Sequence, residues 1–185
     1  MRAFIAVDLS EHIRNEISRV EGPLGGFSSQ VKWVKPDSIH LTLKFLGEIS
    51  EAQQQSITST LSAHPMPVPG FDMQVRGIGF FPNARAPRVV WMGVVEGGPQ
   101  LQAMAAELER RLEPLGFPPE ARLFSAHITI GRVKFLRDVP AFLKATSRFS
   151  EYDCGNARVE SFHLYESQLR REGAIYTKRA TFGLE

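Results

Sequence analysis

Residues 40–43 read His-Leu-Thr-Leu, and residues 127–130 read His-Ile-Thr-Ile. Each copy of this pattern lies in a short apolar stretch that predicts a β-strand. Side chains alternate across a strand, so the histidine and the threonine of each motif share one face, and the apolar residues share the other. The sequence therefore predicts two strands that each hold one imidazole and one hydroxyl on a packed core, a rigid setting for a functional site.

The repetition of the motif carries more weight than either copy. A lone histidine on a strand is most often a surface residue or one held by a structural hydrogen bond. Here two of the five histidines share the pattern His-apolar-Thr-apolar in a chain with seven threonines. A chance origin for both copies is remote, so the pair indicates a site built from two strands.

Outward from the motifs, the periodicity predicts four helices and about eight strands. Ser10 caps the first helix, with Ile13, Ile17 and Val20 on its buried face. The other helices begin at a Ser50–Gln53 capping box, run over 101–115 before Gly116, and begin at Asp138 and Pro140. The predicted strands cover 2–8, 31–34, 39–46, 71–80, 88–95, 123–130, 158–165 and 174–182.

This order of elements defines the fold class. Strands in mixed order with hairpin-length connections indicate an α+β protein with largely antiparallel sheets. Pairs of strands alternate with single helices in both halves of the chain, which predicts two similar lobes facing each other. Strict alternation also places Lys44 on the face of His40 and Phe45 in the core. Arg132 lies on the face of His127 only if Gly131 makes a bulge or ends the strand.

Composition narrows the class of protein without naming a function. The 185 residues suit one domain or two small lobes, and a formal charge of +2 argues against tight duplex binding. Sixteen of the 22 basic residues are arginine, which is compatible with a phosphorylated substrate. Cys154 is the single cysteine, which excludes an internal disulfide and cysteine-based zinc sites. The first residues lack a signal-peptide pattern, so a cytoplasmic protein is expected.

Two histidines and two hydroxyls suit phosphoryl transfer. Hydrolysis of a cyclic phosphate needs a base that activates water and an acid that protonates the leaving oxygen on the opposite side. Histidine titrates near neutrality and can serve either role. Thr42 and Thr129 can donate hydrogen bonds to the non-bridging oxygens. No carboxylate or cysteine stands at ligand spacing from either histidine, so neither a metal nor a cofactor is expected.

The chain resembles the RNA 2′,3′-cyclic phosphodiesterases, historically called 2′-5′ RNA ligases, of the two-histidine phosphoesterase superfamily. The resemblance covers nearly the whole chain and keeps both motifs without substitution. It rests on five stretches: Arg-Ala-Phe-Ile-Ala-Val-Asp-Leu at 2–9, His-Leu-Thr-Leu-Lys-Phe-Leu-Gly-Glu at 40–48, Arg-Gly-Ile-Gly-Phe-Phe-Pro-Asn at 76–83, Ala-His-Ile-Thr-Ile-Gly-Arg at 126–132 and Gly-Ala-Ile-Tyr at 173–176. The family usually has Gly-Pro before the last tyrosine, where this chain has Gly173-Ala174.

The resemblance implies a single catalytic domain over 1–185, with two pseudo-symmetric lobes, one motif in each, and a central cleft. It implies hydrolysis of RNA 2′,3′-cyclic phosphate ends to 2′-phosphates, with joining to 5′-hydroxyl RNA as the related reaction. His40 would be the proton donor and His127 the proton acceptor, and Thr42, Thr129 and Arg132 would bind the phosphate. The expected partners are RNA ends or nucleoside cyclic phosphates, with no membrane and no obligatory protein partner, so a monomer is expected.

Three alternatives remain at the level of sequence. In the first, the chain is a non-catalytic nucleotide- or RNA-binding module on the same fold, and the intact histidines argue against this because binding alone needs no acid–base pair. In the second, the physiological task is to seal RNA rather than to hydrolyse its ends. In the third, the two histidines hold a zinc ion. His163, Tyr165 and Tyr176 either line the cleft or pack in the core.

Overall fold

A computed structural model describes residues 1–171 and 173–185. Within that part of the chain lie nine strands, four α-helices and three short 3₁₀ turns. In chain order these are β1 (Arg2–Val7), α1 (Glu11–Glu21), β2 (Val31–Trp33), β3 (Leu41–Glu48), α2 (Glu51–Ser62), β4 (Phe71–Phe81), β5 (Val89–Glu96), α3 (Gly98–Leu112), β6 (His127–Val133), α4 (Val139–Ser147), β7 (Asp153–Val159), β8 (Ser161–Arg170) and β9 (Gly173–Gly183).

The strands form two sheets. The first sheet has the order β3-β1-β8-β9, and the second has the order β2-β6-β5-β4-β7. Every strand pair within these sheets is antiparallel. The predicted α+β class with antiparallel sheets is confirmed. One motif strand belongs to each sheet, since β3 lies in the first and β6 in the second.

The two sheets are interleaved in sequence. The first sheet takes β1 and β3 from the start of the chain and β8 and β9 from its end, while the second takes β2 and β4 to β7. A repeating order of strands and helices along the chain therefore does not correspond to two contiguous halves in space. Both chain ends pair within the first sheet, so formation of this sheet requires the longest-range contacts of the fold.

Three helices begin at the capping residues that the sequence predicts, whereas α3 begins at Gly98 and ends at Leu112, before a 3₁₀ turn over Glu113–Leu115. The Ser10 side chain accepts a hydrogen bond from the Ile13 amide, and Ser50 and Gln53 form the complete capping box. Asp138 caps α4 in the same way. Gly116 ends the turn after α3 with a φ of 91°, in the left-handed region that favours glycine. In the described chain, no helix is long and apolar enough to cross a membrane.

Three predicted strands differ from the structure. The strand predicted over 39–46 begins only at Leu41, so His40 precedes it rather than lying in it. The stretch 123–126 is irregular, so β6 begins only at His127. The single strand predicted over 158–165 is divided between β7, which ends at Val159 in the second sheet, and β8, which begins at Ser161 in the first. Apolar residues continue through the junction, so periodicity does not detect the chain moving from one sheet to the other.

The largest correction concerns the residues that follow the first motif. In the pairing of β1 with β3, Ala6 lies opposite Thr42 but Ile5 lies opposite Lys44, so Leu43 is an extra residue. Such a bulge shifts the alternation of faces by one position. Lys44 is therefore only 3% exposed, and Phe45, predicted to lie in the core, is 58% exposed.

The buried Lys44 is fully paired. Its ammonium forms an ion pair with Glu109 of α3 and donates a hydrogen bond to the Pro118 carbonyl, 3.0 Å away. A buried charge is tolerated only with such partners. The prediction that Lys44 shares the face of His40 is wrong, and its role is to fasten β3 to α3 and to the loop after it.

Candidate active site

The two motif strands contact each other although they belong to different sheets. His40 directly precedes β3, and His127 is the first residue of β6. Thr129 follows His127 at a distance of two residues and shares its face of the strand. We call the sheet faces that carry His40, Thr42, His127 and Thr129 the motif faces, and the space between them the cleft.

Both catalytic candidates are held by the same backbone contact. The Nδ1 atom of His40 lies 2.8 Å from the Ser38 carbonyl oxygen, and Nδ1 of His127 lies 2.7 Å from the Ser125 carbonyl oxygen. A carbonyl only accepts, so each Nδ1 carries a proton and donates it. This contact fixes the tautomer and the ring orientation, and leaves Nε2 of each ring available for proton transfer.

His40 lies in an aromatic cage. The Phe4 ring stacks on it at a centroid distance of 4.6 Å, the Tyr176 ring meets it edge-on at 5.0 Å, and the Tyr165 ring lies 6.5 Å away. Burial in this cage lowers the pKa of His40 from 6.5 to about 4, against the opposing effects of the Ser38 carbonyl and the Asp8 carboxylate. His40 is therefore neutral at pH 7 in the unliganded protein.

His127 has fewer aromatic neighbours in the described chain. The Phe81 ring meets it edge-on at 4.9 Å. Phe81 is the last residue of β4 and also packs against Trp91, at 5.3 Å. His127 is half-buried, so both histidines combine a fixed ring with access from the cleft.

The threonines of both motifs are half-buried and lie on the motif faces. Thr42 lies opposite Ala6 of β1, which places it on the same side of the sheet as Phe4 and hence beside His40. Thr129 lies opposite Trp91 of β5, two residues after His127. The structure thus brings each hydroxyl to the face of its own histidine, as the spacing of the motif predicts.

Arg132 reaches the motif face because of a second bulge. In the pairing of β5 with β6, Trp91 lies opposite Thr129 and Val90 opposite Gly131, so Ile130 is an extra residue. Arg132 then shares the side of His127. A Cβ atom at Gly131 would lie 2.8 Å from the Trp33 ring, so glycine is required for this packing.

The charge of Arg132 acts across the cleft. Its guanidinium lies near enough to His40 to contribute to the low pKa of that imidazole. A cation on the second sheet thus faces the histidine of the first sheet. An anion placed between them would be attracted by Arg132 and would favour the protonated form of His40.

A polar network behind His40 was not expected from the sequence. Asp8, directly after β1, accepts hydrogen bonds from the Tyr165 hydroxyl and from Lys178 Nζ, the latter at 2.7 Å, and lies 3.4 Å from Nε2 of His163. Burial alone would raise the pKa of Asp8, but the hydrogen bonds from Lys178 and Tyr165 hold it below its usual value. The sequence feature that could have indicated this network is Asp8, a carboxylate at the end of a predicted apolar strand.

The structure shows where three residues lie that the sequence places either in the cleft or in the core. Tyr165 and Tyr176 line the cage of His40, so they belong to the cleft. His163 is 5% exposed and forms a hydrogen bond with Thr181 at 3.0 Å, so it is a buried residue behind the cage. Within residues 1–171 and 173–185, no group of three His, Cys, Asp or Glu side chains has the geometry to hold a metal ion.

Comparison with known proteins agrees with this geometry. The profile of the family described as LigT like phosphoesterase matches residues 7–91 and 93–176, with one motif in each match. A Methanothermobacter thermautotrophicus protein named RNA 2′,3′-cyclic phosphodiesterase is 35% identical over 184 residues, which cover 100% of this chain and 99% of the relative.

Solved structures agree over the same length. The crystal structure of TT0787 of Thermus thermophilus has a TM-score of 0.82 and 30% identity, covering 100% of this chain and 98% of the other. E. coli LigT complexed with 3′-AMP has a TM-score of 0.81 and 27% identity, covering 99% and 97%. The chain belongs to the LigT-like phosphoesterase family.

Proposed function

We propose that this phosphoesterase hydrolyses 2′,3′-cyclic phosphate ends of RNA to 2′-phosphate ends. The observation that carries the proposal is the matched pair of histidines, one on each motif strand, with both Nδ1 atoms held by a backbone carbonyl. Pure binding does not require two imidazoles with free Nε2 atoms, whereas general acid–base catalysis does. The names of the curated relatives support the same substrate class.

The reaction uses the two histidines on opposite sides of the phosphorus. In our assignment, Nε2 of His127 takes a proton from water as the water oxygen attacks phosphorus. The bond from phosphorus to the ribose 3′ oxygen breaks, and His40 protonates that oxygen. Attack and departure are in line, so the base and the acid lie on opposite sides of the phosphate. The direction of opening and the assignment of roles follow the family resemblance.

The remaining cleft residues stabilise charge on the phosphate. Thr42 and Thr129 donate hydrogen bonds to the non-bridging oxygens, and Arg132 supplies a positive charge from the second sheet. Donors positioned before the reaction stabilise developing charge without reorganising. A single copy of the chain carries both motifs, so we propose one catalytic domain of two lobes that works as a monomer.

The acid role of His40 requires the substrate. With a pKa of about 4 the free imidazole carries no proton to give at pH 7. The anionic cyclic phosphate neutralises Arg132 and adds a negative charge beside the ring, and both changes raise the pKa of His40. We propose that binding of substrate is what protonates His40.

The decisive experiment uses RNA with a 2′,3′-cyclic phosphate end. The purified protein should convert this end to a 2′-phosphate. A 3′-phosphate product would show that the bond to the 2′ oxygen breaks instead, and would contradict the proposed direction of opening. Absence of turnover with retained binding of the RNA would favour the non-catalytic module. Addition of a 5′-hydroxyl RNA to the same reaction measures joining, which is the same chemistry with an alcohol in place of water.

We also propose that the reaction is independent of metal, because two histidines supply both proton transfers. Activity should survive dialysis against EDTA. Loss of activity with EDTA, followed by recovery on addition of zinc, would contradict this assignment.

A sulfur substrate separates the acid from the base. If the 3′ leaving atom is sulfur, the departing thiol has a pKa of about 8.5 and needs little protonation. His40→Ala should then regain much of its lost rate on this substrate, while His127→Ala should not. Recovery by His127→Ala instead would exchange the two roles.

A further inference from the structure

Arg14 is a cation near His40 that the proposed chemistry does not use. It lies in α1, four residues after the capping residue Ser10. This helix packs against the 3₁₀ turn Pro36–Ser38. The Ser38 carbonyl at the end of that turn is the one that holds Nδ1 of His40. Arg14 therefore belongs to a helix that contacts the backbone support of the first catalytic histidine.

The guanidinium of Arg14 is a charge that the described chain does not neutralise. Within residues 1–171 and 173–185, its Nε atom is buried and has no hydrogen-bond partner. The carboxylates of this region have other partners, because Asp8 pairs with Lys178 and Glu16 pairs with Arg19. A half-buried charge of this kind lowers the stability of the folded protein unless a partner compensates it. The side chain is thus suited to an anionic ligand.

The charge of Arg14 acts on the aromatic cage around His40. Burial is the main cause of the low pKa of His40, and Arg132 and Arg14 both lower it further. Arg14 also opposes the rise in the pKa of Tyr165 that burial and a hydrogen bond produce. Arg132 opposes the rise in the pKa of Tyr176 that burial produces. The two guanidinium groups therefore lie toward different walls of the cage.

Two cations near one imidazole indicate an anion site. Like charges repel more strongly where water is excluded, so the pair destabilises the unliganded cleft. An anion between Arg14 and Arg132 removes this repulsion, and its oxygens give the buried Nε of Arg14 an acceptor. Arginine presents a planar set of donors that matches the oxygens of a phosphate. The geometry therefore suits one phosphate held by two arginines.

The number of cations also matches the charge that develops on the phosphate. A 2′,3′-cyclic phosphate is a diester with a single negative charge. In the proposed reaction the attacking water gives its proton to the base, so the phosphoryl oxygens gain negative charge as the ring opens. The resulting phosphate monoester carries about 1.5 to 2 negative charges at pH 7. Arg132 neutralises the charge of the substrate, and a second cation neutralises the charge that is gained.

We propose that Arg14 is a second phosphate-binding residue, which holds the phosphate together with Arg132 and neutralises the charge gained as the ring opens. This inference rests on the proposed function and adds a residue to its phosphate site. Arg14 extends from α1, and Arg132 extends from β6 of the second sheet. Because Arg14 contacts the phosphate, its loss weakens ligands that carry phosphate and spares ligands that lack it.

An NMR titration with two ligands tests this contact without turnover. One ligand is adenosine 3′-monophosphate, and the other is adenosine, which lacks the phosphate. Arg14→Met keeps an apolar stem and removes the charge. It should weaken binding of the monophosphate by about 10- to 150-fold, the effect of one hydrogen bond to a charged group, and leave binding of adenosine unchanged. Arg14→Lys keeps the charge without the planar fork and should lose less.

Arg19→Met is the matched control. Arg19 lies on the same helix, but its side chain is 72% exposed and pairs with Glu16. The control removes an equal charge from α1 and should bind both ligands as the wild type does. Thermal unfolding is measured for each variant in the absence of ligand. Arg14→Met should keep or raise Tm, because it removes a charge that the unliganded protein does not neutralise.

Turnover of adenosine 2′,3′-cyclic phosphate tests the match to the developing charge. Arg14→Met should lower kcat more than it raises KM, because the additional charge is absent from the bound substrate and forms on the way to the transition state. A rise in KM with an unchanged kcat would contradict this part of the proposal, since Arg14 would then bind substrate and transition state equally.

Equal weakening of both ligands in Arg14→Met, together with a lower Tm, would overturn the proposal, because Arg14 would then only hold α1 in place. Unchanged binding of the monophosphate would overturn it as well. If the wild type does not open the cyclic phosphate, the proposed function has failed, and the titration with two ligands still decides whether Arg14 binds phosphate.

Discussion

The strands β3 and β6 share the backbone geometry of their motifs and differ in the side chains that surround the histidine. A histidine held through Nδ1 by the carbonyl two residues earlier directly precedes β3 and is the first residue of β6, and each strand has a bulge at the second apolar residue of its motif. The shared features fix the ring atom that is available for proton transfer, Nε2 of each histidine. The surroundings differ, because His40 lies in a cage that includes Phe4 and Tyr176, whereas Phe81 is the aromatic ring in contact with His127.

The difference in surroundings indicates how the same motif geometry could support two roles, general acid and general base. A general acid and a general base need opposite protonation states at the same pH, which identical surroundings would not supply. Burial makes the protonation of His40 depend on the charges near it, which include Arg132, Arg14 and Asp8. We propose that the two lobes of one domain keep the motif geometry and diverge in the residues around it.

Removal of either histidine should have the largest effect on turnover. His40→Ala and His127→Ala each remove one proton transfer and should lower kcat by about 10²- to 10⁴-fold. The measurement is hydrolysis of adenosine 2′,3′-cyclic phosphate at pH 7. Near-normal turnover by either variant would end the two-histidine mechanism.

The same two variants should differ in stability. His40→Ala removes a ring that stacks on Phe4, so it should lower Tm more than His127→Ala does. Thermal unfolding at equal pH measures the difference. Equal melting temperatures would mean that the cage does not depend on the imidazole.

Arg132→Ala should have the next largest effect. It removes a positive charge that faces the phosphate, and a hydrogen bond to a charged group contributes about 1.5–3 kcal/mol, equivalent to about 10- to 150-fold in kcat/KM. Arg132→Lys keeps the charge without the planar fork and should recover part of the loss. If Arg132→Ala matches the wild type in both kcat and KM, the bulge at Ile130 serves packing alone.

Thr42→Val and Thr129→Val should have smaller effects. Each keeps the branched shape that suits a strand and loses one hydroxyl donor. The loss should stay below the 10²- to 10³-fold that is typical of a full oxyanion donor, because the cleft is open to water. Unequal losses would reveal which lobe holds the non-bridging oxygens. No loss in either variant would make both threonines structural.

The comparison of the two strands also shows which parts of the candidate site can be predicted from the sequence. The motifs predict the strands, the shared face of His and Thr, and the class of chemistry, because alternation is a local rule. Strict alternation places Phe45 and Lys44 on the wrong faces, because a bulge depends on pairing with β1, which no local pattern encodes. Asp8 was missed because its partners Tyr165 and Lys178 are distant in the chain and meet it only in the folded sheet.

Changes in the charges around His40 should have the smallest and most specific effect, a shift in one pKa. The histidine Cε1 protons, followed by NMR against pH, report it directly. His40 should titrate near pH 4 in the free protein. Arg132 lowers this pKa, so Arg132→Ala should raise it; Asp8 raises this pKa, so Asp8→Asn should lower it further. Asp72→Asn is the control, since that carboxylate pairs with Arg158 at the surface.

The pKa of His40 with a nucleotide bound then decides whether this residue is the general acid or the general base. Adenosine 3′-monophosphate brings negative charge between Arg132 and His40, so saturation with this nucleotide should raise the pKa of His40 well above 4. A proton donor at pH 7 requires such a shift, because a ring that is neutral in the complex has no proton to give. If His40 still titrates near pH 4 with the nucleotide bound, it is the base, and His127 must protonate the leaving oxygen. The burial that distinguishes the first motif from the second would then serve to keep His40 unprotonated, and the asymmetry between the lobes would have the opposite meaning.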